Sequence, residues 1–286
     1  MSWRGLPSLI ERAGRTAQSG AAAVGTLPRA TGRGLGAGWG FVVLGFALAA
    51  ALVHQALRPR SWRRPVRAEF VRFLDRTAVG AMPAVAVAAL LAGASIIAQS
   101  LYWTERLGEV SEIRTIVVWL TVREVAPLIV AFLMIGRAGL VLTLELAELR
   151  RDRLWRALDA QGVDPFLLLL LPRVLAIAVG CFCLTILFIV VAFVAGFVTA
   201  RASGTAAAIG VLDVVPLLLR AIGENGGLFV LLKTTTMGLA IGIVASLAAI
   251  EPEALAARGD GPVPTAFVRA VLAILLITGL FSLVGG

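Results

Sequence analysis

Six apolar blocks dominate this chain, at residues 35–57, 77–102, 113–149 (interrupted), 172–200, 227–250 and 266–284. About 20 apolar residues in helical form cross the hydrocarbon core of a bilayer. Inside lipid the backbone must satisfy its own hydrogen bonds, which leaves helices and closed barrels as the solutions. A barrel alternates apolar and polar residues in short segments; these blocks are continuous. The expected fold is therefore an all-α polytopic membrane protein.

The chain is 59% hydrophobic and only 15% charged, against about 25% charged in soluble domains. Its net charge of +9 comes almost wholly from arginine, Lys233 being the sole lysine. The arginines cluster beside apolar runs, a pattern that fits topology and anionic headgroups rather than nucleic acid. There is no zinc-type Cys/His spacing, no nucleophile elbow and no phosphate loop. No metal, cofactor or catalytic residue is expected, and any ATP and magnesium would be bound by another chain. Cys181 and Cys183 point to different sides of a helix. Both read as small buried core residues without a disulfide. Residues 1–34 do not read as a signal peptide, since no short apolar region with a cleavage site stands near Met1.

Short arginine-rich loops stay in the cytoplasm. That rule puts 58–76 and 150–164 inside and 103–112 and 201–226 outside. Alternation then puts 251–265 inside and the C-terminus outside. The block at 35–57 has basic segments on both flanks, with Arg29 and Arg33 before it and Arg58 and Arg60 after it. A helix lying in the interface, or entering and leaving on one face, meets that demand; an ordinary first span with its N-terminus outside is the alternative. Residues 1–76 thus form a basic N-terminal region and 77–286 the transmembrane domain. Small residues recur four apart in three rows: Gly32, Gly36 and Gly40; Ala192, Gly196 and Ala200; Gly238 and Gly242. Such rows let helices approach closely in lipid.

The stretch ELAELRRDRLWRALDAQGVDPF, residues 145–166, holds much of the charge in the middle of the chain. Over about 149–162 it reads as a short amphipathic helix, with Leu154, Trp155 and Leu158 grouped and Arg150, Arg153 and Arg156 mostly elsewhere. Gly162 suits the position after a helix end. Asp164 can cap the next helix, with Pro165 in its first turn. From pattern alone the helix either anchors the loop to lipid or fits a groove on a cytoplasmic partner.

Two segments, VREVAPLIVAFLMIGRAGLVLTLELAELR and ALDAQGVDPFLLLLLPRVLA, resemble the MlaE/YrbE family of ABC-transporter permeases. The matching elements are Arg123-Glu124, Gly136-Arg137, Gly139, Glu145, Gly162-Val163-Asp164-Pro165 and Pro172-Arg173. The likeness is specific over about 120–180 and extends more weakly to Gln99, Lys233 and Arg269. It implies five transmembrane helices, an N-terminal membrane-embedded interfacial helix and a short cytoplasmic coupling helix. It also implies a permease homodimer in the bacterial inner membrane, a cytoplasmic ABC ATPase and an MCE-domain protein as partners, and phospholipids or related lipids as cargo. The coupling helix at 149–162 would then dock on the ATPase, with Glu145, Arg150, Leu154, Trp155, Leu158, Gly162 and Asp164 as the coupling residues. The chain departs from the family pattern at Arg153-Leu154, Ala126 and Thr265. Those departures admit a regulatory or heterodimeric half-permease as the alternative, alongside a membrane anchor that transports nothing.

Arg123 and Glu124 fall near the outer end of their span. As neighbours they cannot pair on one helix face, so each is expected to meet a cavity, a partner or water. They mark either a solvated helix end or a lipid-headgroup site, where Arg123 offers two donors to a phosphate. Ile96, Gln99 and Trp103 share a stripe on the preceding helix. By family spacing that stripe lines a lipid cavity; an isolated Gln in a span can equally bond to a neighbouring helix. Lys233 reads either as part of that region or as a snorkelling side chain, and His54 as an interfacial residue.

Overall fold

The computed structural model describes residues 45, 47–56, 64–107, 117, 119–151, 160, 166–203, 211–250 and 262–284. They fall into two units divided between Ser61 and Trp62. In the first, α1 (Ala47–Ala56) is a short apolar helix with His54 exposed. Apart from residue 45, the remainder of the 35–57 block lies outside the described residues, and so does the question of whether it spans.

In the second unit, five helical stretches are long and apolar enough to cross a membrane: Arg64–Trp103, Thr121–Leu149, Leu168–Ala202, Gly227–Ala249 and Val263–Leu283. The described residues contain no strand. Amphipathic α2 (Arg64–Thr77) passes through a single 3₁₀ turn, Val79–Ala81, into α3 (Met82–Leu107). Gly80 and Pro83 account for the change of helix type there, one by its freedom and the other by its missing N–H.

The second span is α4 (Ala126–Met134) and α5 (Leu140–Arg151), each preceded by a π-helical turn, Thr121–Val125 and Ile135–Gly139. Pro127 lies in the first turn of α4. It offers no N–H to the Arg123 carbonyl four residues back, and the Ala126 N–H reaches Thr121 O instead. A third π turn, Phe166–Leu170, leads into α6 (Leu171–Ala202), where Pro172 again opens the helix. The last two helices are α7 (Val211–Ile250) and α8 (Pro262–Val284). Because α7 starts at Val211, much of the stretch read from sequence as an outer connection is helix; its apolar content carries the helix past the span.

Helix α6 is the hub, packed against α2, α3, α4 and α7, and α7 in turn packs on α5 and α8. Phe188, Leu184, Ile177 and Cys181 of α6 are fully enclosed. Lipid is as apolar as these side chains, so close packing rather than water exclusion holds the helices together. The small-residue rows supply it. A Cβ on Gly238 would lie 2.6 Å from Ala178 Cα, and one on Gly242 would lie 2.7 Å from Val174 Cγ1. Gly93 of α3 meets the Ala192 backbone so closely that a Cβ there would overlap it, and Gly196 faces Ile97. The row at Gly32, Gly36 and Gly40 lies outside the described residues.

Hydroxyls within the spans return their protons to the preceding turn. Thr143 Oγ1 donates to Gly139 O at 2.9 Å, Thr185 Oγ1 to Cys181 O at 2.8 Å, and Ser246 Oγ to Gly242 O at 2.6 Å. Each polar group is thereby satisfied without a partner in lipid. The cysteines correct the sequence reading. Both are free, but only Cys181 is buried, whereas Cys183 is exposed. Two residues turn a helix by about 200°, so a packed Cys181 directs Cys183 outward.

Candidate functional site

Charged side chains gather at the two ends of the helical unit. At one end the π turn Thr121–Val125 presents Arg123 and Glu124, both half-buried. Lys233 of α7 is 0% exposed. Its Nζ donates to Glu124 Oε2 at 2.7 Å and to the Arg123 carbonyl oxygen at 2.9 Å. That carbonyl is the one to which Pro127 can offer no N–H. Lys233 therefore does not snorkel; it closes a buried ion pair that joins α7 to the second span. Ser282 Oγ of α8 donates to the other Glu124 oxygen at 3.4 Å.

The Arg123 side chain takes a different direction, as adjacency to Glu124 requires. Its guanidinium carbon lies 4.1 Å from the Phe229 ring centroid and 4.9 Å from that of Trp119. Phe281 meets Phe229 edge-on at 5.4 Å. Among the described residues no carboxylate pairs with Arg123, because Glu124 is engaged by Lys233. The aromatic faces hold the planar cation by cation–π attraction and leave its N–H donors available.

On α3, Ile96 is half-buried while Gln99 and Trp103 are exposed. Trp103 stands edge-on to Tyr102 at 5.8 Å. No hydrogen bond ties Gln99 to a neighbouring helix among the described residues. The stripe thus faces away from the helix core of a single chain. Arg137 is exposed beside Gly80, where a side chain in place of hydrogen would collide with its guanidinium. Nothing approaches Gly136.

At the opposite end Arg173, in the first turn of α6, joins two acids. Its Nε and Nη2 donate to Glu69 Oε1 of α2 at 2.9 and 2.8 Å. Its Nη1 lies 3.1 Å from Glu145 Oε2 of α5, an ion pair off the line of a hydrogen bond. Arg76 bridges Glu145 from α2. The Phe73 ring lies 5.8 Å from the Arg173 guanidinium. Glu69, Arg72, Phe73, Arg76, Glu145, Leu169 and Arg173 surround a pocket of about 160 Å³. Glu145 is thus occupied within the chain. Arg150 lies in α5, and Leu154, Trp155, Leu158, Gly162 and Asp164 lie outside the described residues.

Sequence reasoning missed the Arg173 junction and the Lys233–Glu124 pair. For the first a signal exists: Glu69, Arg72, Phe73 and Arg76 recur at helical spacing and share one face of α2. For the second none does, since sequence spacing does not bring residues 124 and 233 together.

An all-helical, multi-pass bundle with ion pairs at both ends and no metal-binding cluster among the described residues belongs to the class of polytopic membrane proteins. The family model described as "Permease MlaE" matches residues 70–284, so the chain belongs to the MlaE permease family, a family of transport subunits. Curated relatives include a probable ABC transporter permease protein of Rickettsia felis, 29% identical over 116 residues, and those of Rickettsia conorii and Rickettsia prowazekii, each 28% identical over 116 residues. Each alignment covers 41% of this chain and 45% of the relative, so the chain spans about half the length of the curated relatives it matches.

Proposed function

We propose that this chain is the membrane permease of an ABC transporter that moves phospholipids or related lipids between membranes, driven by a separate cytoplasmic ATPase. The observation that carries the reading is the pairing at the Arg123 end. Lys233 occupies Glu124, so the Arg123 guanidinium keeps its donors for an anion from outside the described residues. A lipid phosphate fits that role, since it supplies the counter-charge and accepts two parallel hydrogen bonds. Trp119 and Phe229 hold the cation in place.

In this reading two permease chains face one another in the bacterial inner membrane. The stripe of half-buried Ile96 and exposed Gln99 and Trp103 lines the lipid path between them. The segment at 149–162 docks on the ATPase, and an MCE-domain protein meets the far side. The Arg-rich 58–76 region and the Arg173 end face the cytoplasm by the charge rule. A regulatory or heterodimeric half-permease is the second reading, favoured by Arg153-Leu154 in the coupling segment. Affinity purification from native membranes, followed by reconstitution, tests both. A permease brings down a nucleotide-binding subunit and moves lipid on ATP addition. A half-permease brings down a second, different permease chain, and an anchor moves no lipid.

A further inference from the structure

Arg137 lies between the two charged ends of the second span. By helix rise it is about 21 Å along from Arg123 and about 12 Å short of Glu145. Like Arg123 it stands in a π turn, Ile135–Gly139, a geometry that recurs at functional positions in helices. Among the described residues it makes no hydrogen bond and no ion pair. The two nearest acids of its span are engaged elsewhere, Glu124 by Lys233 and Glu145 by Arg76 and Arg173. A cation on the exposed side of a membrane span still requires an anion. Its surroundings are apolar. The guanidinium packs over Gly80, where a Cβ would lie 2.5 Å from Nη2 and 3.4 Å from Cζ. Val79 and Met82 flank that contact, 47% and 42% exposed, and Leu144 is 49% exposed seven residues further along the helix. Nothing lies within 4 Å of a Cβ at Gly136, so room for a bulky group is open beside the cation.

We propose that Arg137 binds the phosphate of a membrane-lipid headgroup, with the acyl chains lying on the apolar surface around it. A lipid uses both parts of the site. Its phosphate takes two parallel hydrogen bonds from the planar fork, and its chains cover Val79, Met82 and Leu144. Inorganic phosphate would gain nothing from that apolar surface. Gly80 gives the site its shape, because only hydrogen at that position lets the guanidinium lie against the turn. An arginine that merely snorkels to the headgroup layer has no such dependence on its neighbour. The site is a second phosphate contact on the helix that carries Arg123, set toward the Arg173 end. Being exposed, it exchanges with the bilayer, so its lipid is read in the membrane and not among lipids that survive purification. The inference goes beyond the permease reading and is tested without ATP. A complex that moves no lipid would fail that reading without touching this measurement.

The test reconstitutes the full chain in vesicles of digalactosyldiacylglycerol, a bilayer lipid without phosphate. A trace of phosphatidylglycerol carries a photoreactive diazirine on its headgroup, and mass spectrometry locates the cross-links. Wild type should be labelled around Gly80 and Arg137. Arg137→Gln should lower that label by roughly tenfold, on the order of one charge-assisted contact. Arg137→Lys should keep part of it, since a point charge replaces the fork. Gly80→Ala should give an intermediate value, because its methyl group displaces the guanidinium without changing the charge. Arg123→Ala, at a distant position, should leave this label unchanged. Thermal midpoints should stay near wild type for the Arg137 variants, because the side chain makes no bond within the described residues. Absence of label there in wild type overturns the inference, as does wild-type label in Arg137→Gln. Wild-type label in Gly80→Ala overturns the built site and leaves a snorkelling arginine. A diazirine-labelled diacylglycerol that depends equally on Arg137 would show packing and not phosphate recognition. Displacement of the label by millimolar inorganic phosphate would assign the site to the free anion. Either of these two results also overturns the proposal.

Discussion

Lys233 Nζ, fully enclosed, donates to the Arg123 carbonyl oxygen at 2.9 Å, the oxygen that Pro127 cannot serve. A proline in the first turn of α4 thus creates an acceptor within a membrane helix, and a lysine 110 residues further along fills it. The same ammonium neutralises Glu124. Removing Lys233 exposes both defects together. Lys233→Met should destabilise the protein by about 3 kcal/mol, the scale of breaking a buried ion pair on one side. The double variant Lys233→Met with Glu124→Gln should recover part of the loss. Thermal unfolding in detergent, followed by size exclusion, checks this; a single variant as stable as wild type would contradict the structural role of the pair.

Helix contact depends on hydrogen at Gly93. A Cβ there overlaps the Ala192 backbone, and backbone cannot rotate away. Gly93→Ala should cost about 1–3 kcal/mol, as overpacking does. Gly279→Ala is the control, because nothing lies within 4 Å of its Cβ position, and it should be neutral or slightly stabilising. Equal thermal midpoints for the two variants would count against the α3–α6 contact.

The two charged ends make a topological prediction. Arg72 lies at the Arg173 end and Ser282 at the Lys233 end. Single cysteines at these positions, in a background lacking Cys181 and Cys183, should be labelled by impermeant reagent from opposite faces of the membrane. The exposed Cys183 makes its replacement necessary. Labelling of both from one face would break the five-span order.

The coupling segment gives a prediction that rests on sequence pattern. Leu154→Asp with Leu158→Asp should leave the permease in the membrane and release the ATPase, because two carboxylates are costly in an apolar groove. Co-purification measures it. An ATPase retained at normal expression would assign the segment to lipid anchoring.

What was legible in the sequence follows from what each signal depends on. Helical class came from apolar length, a local property that marked six blocks; the number five came from the basic flanks of the first block and from the family resemblance, and five described stretches are long and apolar enough to span. The close approach at Gly238 and Gly242 was visible because small residues four apart have one physical use in lipid. The 201–226 connection lies between the spans Leu168–Ala202 and Gly227–Ala249 as expected, but that it is helical from Val211 was not read from its sequence. Lys233 was ambiguous because snorkelling and pairing share one local pattern, and only the distance to Glu124 separates them. The Arg173 junction unites residues 69, 145 and 173, and the part of it visible in sequence is the shared face of Glu69, Phe73 and Arg76. The placement of Ile96, Gln99 and Trp103 on one stripe, with Gln99 and Trp103 exposed, depends on a helix that keeps its phase from Met82 onward, which its unbroken apolar run allows.

The central claim is that Arg123 receives the phosphate of the transported lipid. The direct measurement is lipid phosphorus bound per purified permease chain, for wild type, Arg123→Lys and Arg123→Ala. Arg123→Lys should reduce it, since a point charge replaces the planar fork. Arg123→Ala should reduce it by about tenfold, on the order of one charge-assisted hydrogen-bonded contact, with the ATPase still bound. Wild-type lipid content in Arg123→Ala would contradict the account and leave Arg123 as a cation held between Trp119 and Phe229 with no cargo to meet.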